Sequence, residues 1–122
     1  RSAKSALMID KSPKAVQVIK KNVEALNLQS SATAVHFDAL NMISRLKTTK
    51  EVFDIIIVAP PYFTGLDQSA MKMLSVSGIL AQGGIVVLQQ ARKEHFKEKY
   101  GDLSLRKTYR YGDTRISTYV AI

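Results

Sequence analysis

The sequence predicts an α/β fold, a doubly wound and mostly parallel sheet that ends in an antiparallel hairpin. Three observations carry this prediction. Apolar strand-like runs alternate with segments of helical period from Ser5 to Lys99, the signature of successive β-α-β units. Phe53–Val58 (F-D-I-I-I-V) is nearly continuous and β-branched, as expected of a strand buried on both faces at the centre of a parallel sheet. Leu103–Tyr111 and Thr114–Ala121 instead alternate in polarity, and Gly112-Asp113 between them suits a two-residue type II′ turn.

The elements follow in order. Ser5–Ile9 reads as a strand that ends at Asp10. Ser12 offers a helix N-cap and Pro13 a first helical residue without a wasted amide. Val16, Ile19, Val23 and Leu26 then fall on one helical face, and Asn27 is the expected stop. Ala32–Phe37 is a second strand, ending at Asp38. Ala39–Leu46 is a shorter helix with Leu40, Ile43 and Leu46 inward. Phe53–Val58 ends at Ala59-Pro60-Pro61-Tyr62, where two prolines forbid further pairing. Asp67–Leu80 is helical, with Ala70, Met73, Leu74 and Ser77 on one face. Gly83-Gly84 turns the chain into an apolar strand, Ile85–Gln89. Arg92–Lys99 is expected to form a short helix before the hairpin.

Length and composition agree with this plan. The 122 residues suffice for one domain, and 46% apolar content is enough for a core. The absence of cysteine excludes a disulfide scaffold and any thiolate metal site. No apolar run reaches the length of a membrane span, and no metal-ligand spacing surrounds His36 or His95. The net charge is +8 and it is uneven. Residues 1–50 carry nine bases and three acids, residues 51–91 one base and three acids, residues 92–122 eight bases and four acids. A charge-poor middle is thus flanked by two basic stretches. In the second, Arg92, Lys93, Arg106, Arg110 and Arg115 are interleaved with Tyr100, Tyr109 and Tyr111. Charge for phosphate and rings for stacking are what a nucleic-acid contact needs.

In an open parallel sheet, ligands bind beyond the carboxyl ends of the strands. Three strand ends here stand out. A carboxylate such as Asp10 offers two acceptor oxygens for the two hydroxyls of a ribose, or serves as an acid at a helix N-terminus. Asp38 reads either as an acceptor for the amino group of a base or as a cap for the following helix. Pro60-Pro61-Tyr62 is the sharpest feature. Two prolines hold a rigid extended turn whose carbonyls have a set direction. One of those carbonyls can accept from an exocyclic amine while the adjoining ring stacks on the base that bears it. The plain alternative is a loop that merely ends a strand.

Taken together, Asp10, Asp38-Ala39-Leu40, F-D-I-I-I-V-A-P-P-Y, L-A-Q-G-G-I-V-V-L and R-Y-G-D-T-R-I-S-T-Y resemble the bacterial RNA guanine-N2 methyltransferases of the ribosomal RNA small-subunit methyltransferase D family. The resemblance runs from Ser5 to Tyr119. It implies a Rossmann-like class I methyltransferase sheet with S-adenosylmethionine as cofactor. It implies that Asp10 and Lys11 lie at the cofactor ribose and that Asp38 and Ala39 lie at its adenine. Ala59, Pro60, Pro61 and Tyr62 match the catalytic motif, with the Pro60 carbonyl holding the target amine and Tyr62 packed on a flipped guanine. The implied partner is ribosomal RNA or the small ribosomal subunit, contacted by Arg92, Lys93, Arg106, Arg110 and Arg115. The implied setting is the cytoplasm, with neither membrane nor metal involved.

The sequence departs from the pattern in two places. Ala59 stands where the family carries an acidic or amide residue, and its methyl group accepts no hydrogen bond. The family's Gly-rich loop and first strand, the middle strand of its sheet, are expected ahead of Arg1. Residues 1–122 are therefore expected to be a single but incomplete methyltransferase domain. Two other readings stay open. One is transfer to an amine of DNA, protein or a small molecule by the same motif. The other is a non-catalytic RNA-binding or assembly module that kept the fold and lost the chemistry.

Overall fold

The computed structural model describes residues 3–121. Arg1 lies outside them. Contacts divide the chain into two compact units, with the boundary between Met42 and Ile43. The first unit contains β1 (Ala6–Asp10), α1 (Pro13–Ala25), β2 (Ala32–His36) and the start of α2 (Ala39–Thr49). β1 and β2 pair in parallel from Ala6 opposite Ala32 to Asp10 opposite His36. α1 begins as expected: the Ser12 side chain accepts the Ala15 N–H and Pro13 opens the helix. It ends at Leu26. Asn27 takes a left-handed φ of 57°, and the Leu28 N–H returns to the Val23 carbonyl at 2.9 Å. Leu26 is the C-cap itself and is exposed, so the inward stripe stops at Val23.

The second unit contains the rest of α2, then β3 (Phe53–Val58), α3 (Leu66–Ser77), β4 (Leu80–Ala91), β5 (Lys99–Tyr100), β6 (Leu103–Tyr111) and β7 (Thr114–Ala121). Its five-stranded sheet has the order β3-β4-β7-β6-β5. β3 and β4 are parallel, while β7, β6 and β5 are each antiparallel to a neighbour. The expected hairpin is present, with Gly112 at φ 58° and Tyr111 opposite Thr114. It docks through β7 against β4, so every pairing beyond β4 is antiparallel. The sheet is mixed rather than mostly parallel for that reason.

Three further expectations are corrected. β3 is an edge strand of its sheet, with Ile55 63% and Ile57 69% exposed, rather than a strand buried on both faces. β4 is longer than expected and takes Gly83 and Gly84 into the strand, across a register shift opposite Phe53 and Ile55. At Gly84 an added Cβ would lie 2.7 Å from Leu80 Cδ1, 2.8 Å from the Ala81 oxygen and 3.0 Å from the Asp54 oxygen, so glycine is required by this close approach. Finally, residues 92–98 form turn and loop, not a helix. Their carbonyls are taken by side chains: Arg115 holds those of Arg92 and Glu94, Gln90 that of His95, and Tyr119 that of Lys97. Acceptors so occupied cannot build a helical ladder.

The two faces of this sheet differ. On one, Val86, Leu88, Gln90, Arg115, Ser117 and Tyr119 are at most 4% exposed, beside Ala70, Met71 and Leu74 of α3. On the other, residues in register across the strands (Ile57, Val87, Thr118 and Lys107; then Gln89, Ile116 and Tyr109; then Thr114 and Tyr111) are half-buried to exposed.

Candidate functional site

The residues singled out from the sequence fall into two groups, one in each unit. In the first unit, parallel pairing sets Asp10 and Asp38 at the carboxyl ends of adjacent strands. The Phe37 N–H, one residue before Asp38, donates to the Asp10 carbonyl at 3.1 Å. Each carboxylate uses one oxygen locally. Asp10 Oδ1 accepts the Ser12 N–H at 2.8 Å, and Asp38 Oδ2 accepts the Asn41 N–H at 3.0 Å. Asp38 is thus the N-cap of α2, as the simpler of its two readings holds, and its Oδ1 remains as a second acceptor. Both aspartates are half-buried, while Lys11 and Ala39 are exposed.

In the second unit, Ala59–Tyr62 leaves the carboxyl end of β3. Pro60 is half-buried, and Ala59 and Pro61 are exposed. Tyr62 is fixed at its far end. Its hydroxyl lies 3.0 Å from Thr114 Oγ1 of β7 and accepts from Gln89 Nε2 of β4 at 3.2 Å. The Gln89 amide, and after it Thr114, draw the Tyr62 hydroxyl below the ordinary tyrosine value by favouring the phenolate. Tyr62 stays 38% exposed although its hydroxyl end is tied.

The turn continues under similar control. Thr64 Oγ1 donates to the Pro61 carbonyl at 2.8 Å. Phe63 holds a left-handed φ of 60°, unusual for a bulky residue, and its N–H donates to Glu94 Oε1. Glu94 Oε2 accepts the Ala91 N–H at 2.8 Å, so this one carboxylate ties the turn to the end of β4. Glu94 was not legible as a site residue, because no periodicity or motif surrounds it. Gln89 ends a strand legible in the sequence, and Thr114 belongs to the Tyr-Gly-Asp-Thr hairpin. Their shared contact with Tyr62 depends on a strand order that the sequence does not state.

Of the expected basic surface, Arg92, Lys93, Arg106 and Arg110 are exposed. Arg115 is not. It is 4% exposed, bonded to the carbonyls of Arg92 and Glu94 and to Gln90 Oε1, and its guanidinium lies 4.0 Å from the Phe96 ring centroid. Its charge organises the 92–98 loop inside the unit, and it is removed from the surface set. Gln90 in turn donates to Asp67 at the start of α3, which Gln68 also reaches. Among the described residues no helix is long and apolar enough to cross a membrane.

Each group lies at the carboxyl end of a strand, where open α/β sheets bind their ligands. The chain belongs to the family described as conserved hypothetical protein 95, whose model matches residues 1–120. It is 24% identical over 119 residues to the Bacillus subtilis protein named "Putative rRNA methyltransferase YlbH", covering 98% of this chain and 65% of that one. The chain thus spans about two thirds of the length of that curated relative. Among solved structures, a conserved hypothetical protein of Streptococcus pyogenes is similar with a TM-score of 0.88 at 21% identity, over 98% of this chain and 72% of the other. SMU.776, described as "a putative methyltransferase complexed with SAH", is similar with a TM-score of 0.77 at 15% identity, over 96% of this chain and 39% of the other. At these identities the structural likeness establishes the fold.

Proposed function

We propose that this chain is part of an S-adenosylmethionine-dependent methyltransferase acting on the exocyclic N2 amine of a guanine in small-subunit ribosomal RNA. The observation that carries the proposal is the Ala59–Tyr62 turn at the carboxyl end of β3, whose exposed aromatic residue is tied by Thr114 and Gln89. The names of the B. subtilis relative and of SMU.776 support the reaction class and the RNA substrate. The donor set fits the cofactor. Asp10 would take the ribose hydroxyls through its second oxygen, with Lys11 beside it, and Asp38 with Ala39 would take the adenine edge. The cofactor supplies an electrophilic methyl group on a sulfonium.

The chain's own part is positional. The Pro60 carbonyl would accept a hydrogen bond from the target amine and so fix the direction of its lone pair. Tyr62 stacks on the guanine. Bound there, the cofactor would supply the methyl group to that nitrogen, and the proton displaced from the amine would pass to solvent water. Alignment is the main source of rate in such a transfer. Ala59 offers no acceptor to the amine, and one missing hydrogen bond costs about 0.5–1.5 kcal/mol net.

The rest of the proposal follows from the same reading. Residues 1–122 belong to one methyltransferase domain working in the cytoplasm. The free edge of β3, where Ile55 and Ile57 are exposed, is the place at which a further parallel strand would pair.

Methyl transfer from radiolabelled S-adenosylmethionine to small-subunit RNA tests this. Tyr62→Ala is expected to lower turnover by one to two orders of magnitude on the order of a lost stacking contact, and Ala59→Asp to raise it. Unchanged turnover in Tyr62→Ala removes the turn from the site. The Ala59 methyl group also favours the second reading, a non-catalytic RNA-binding relative. RNA binding without S-adenosylmethionine binding, both by this chain and by a form that adds a Gly-rich loop and strand ahead of residue 1, selects that reading.

A further inference from the structure

Two large aromatic residues on the hairpin are exposed without a structural reason. Tyr111 is 62% and Tyr109 is 37% exposed. Their rings stack on one another, with centroids 6.5 Å apart and planes 12° from parallel. Lys107 closes the far side of Tyr109, its Nζ 5.0 Å from that ring's centroid. Lys107, Tyr109 and Tyr111 therefore form one column along β6, on the sheet face away from α3. By contrast Tyr100 is buried, edge-on to Tyr119, and takes part in the core.

The column points at the proposed site. Tyr111 lies opposite Thr114 in the hairpin register, and Thr114 is the residue whose hydroxyl lies 3.0 Å from the Tyr62 hydroxyl. Tyr109 lies opposite Ile116, which lies opposite Gln89, the other residue bonded to Tyr62. Adjacent strands are about 4.8 Å apart, so the stack lies one strand from Thr114 and two from Gln89, on the sheet face that carries both partners of the Tyr62 hydroxyl. The charge around the column is positive. From Leu103 to Ala121 the exposed bases are Arg106, Lys107 and Arg110, and the one acid is Asp113 in the turn.

A planar ring with an open face, here Tyr111 at the end of the column, fits an unpaired nucleobase. We propose that Tyr111, backed by Tyr109, is a stacking platform for single-stranded RNA, holding an unpaired base beside the nucleotide that Tyr62 receives. Lys107 stiffens the stack by a cation–π contact, and the exposed Arg106 meets the backbone. This rests on the RNA reading above and adds the form of the substrate, an unpaired segment on the hairpin side.

Fluorescence anisotropy of the 122-residue chain with a labelled single-stranded oligoribonucleotide, and with the same sequence as a duplex, tests the platform. Tyr111→Ala and the double variant Tyr109→Ala/Tyr111→Ala are expected to weaken single-strand binding about 5- to 150-fold, the range that one lost base–aromatic stack represents. Tyr109→Phe/Tyr111→Phe keeps the rings and is expected to stay close to the parent. Arg106→Ala is expected to reduce the salt slope of binding by about one charge. Irradiation of the unsubstituted chain with 5-iodouridine RNA is expected to cross-link Tyr109 or Tyr111, which needs no folded variant. Single-strand affinity unchanged in a folded alanine variant, or cross-links confined to other residues, overturns the platform and leaves the methyltransferase reading standing. S-adenosylmethionine binding with no RNA binding by the parent overturns the RNA substrate and the platform together. RNA binding through the tyrosine stack, with no S-adenosylmethionine binding either by this chain or by a form that adds a Gly-rich loop and strand ahead of residue 1, upholds the platform and sinks the methyltransferase reading.

Discussion

Single side chains in the second unit are set by their surroundings in opposite directions. Tyr62 accepts from Gln89 in the open and is drawn below the ordinary tyrosine value near 10. Tyr119 is 0% exposed, donates to the Lys97 carbonyl at 2.7 Å, and is pushed up by burial. An alkaline titration followed by tyrosinate absorbance should therefore begin earlier in the parent than in Tyr62→Phe. A superimposable early limb would show that Tyr62 is not the group responsible. For Tyr119 the sign runs the other way with respect to stability. Its native form stays neutral after an unfolded tyrosine has ionised, so the contribution is whole below pH 10 or so and is lost as the pH climbs beyond that value. Glu94 shows the limit of reading at this scale. Nothing near it in the chain announces that it bridges Phe63 and Ala91, because its two partners are 31 and 3 residues away and meet only after β3 and β4 pair.

At the scale of the element, local signals were good and pairing signals were weak. Ser12-Pro13 and Asn27 mark the ends of α1 because capping and left-handed geometry are short-range properties. The hairpin was legible to the residue for the same reason, since Gly112 alone fixes the turn. The Arg92–Lys99 segment was misread because its carbonyls bond to side chains from β4 and β7, partners 5 to 23 residues distant. Gly83-Gly84 looks like a turn in isolation, yet it lies inside β4, where Gly84 fits against the backbone of Asp54 and Ala81. Gly84→Ala should force these backbones apart and cost about 1–3 kcal/mol or more, as overpacking does. Thermal melts of the variant check it, and a midpoint equal to the parent's would mean that the bulge absorbs a methyl group freely.

For the molecule as a whole, the candidate site splits by range. The aspartates and the Pro-Pro-Tyr turn were legible because each sits at the end of a strand that the sequence announces. The ties that hold Tyr62 were not, because they depend on β7 lying beside β4. The misjudged position of β3 has the same origin: F-D-I-I-I-V declares a strand, but its neighbours are a property of the sheet. That edge has a consequence for how the chain behaves in a test tube. Its one charged residue is Asp54, and it has neither lysine nor proline to repel another strand. Two copies meeting edge to edge would run antiparallel about a twofold axis, and each would use up the other's free amides. Such a pairing is self-limiting at two, unlike a head-to-tail stack. Sedimentation over rising concentration should show a monomer–dimer equilibrium that Ile57→Lys shifts to monomer, and larger species or an unaffected Ile57→Lys variant would place the attraction elsewhere. The segment that supports the site from behind would then also set the concentration above which the protein stops being solitary.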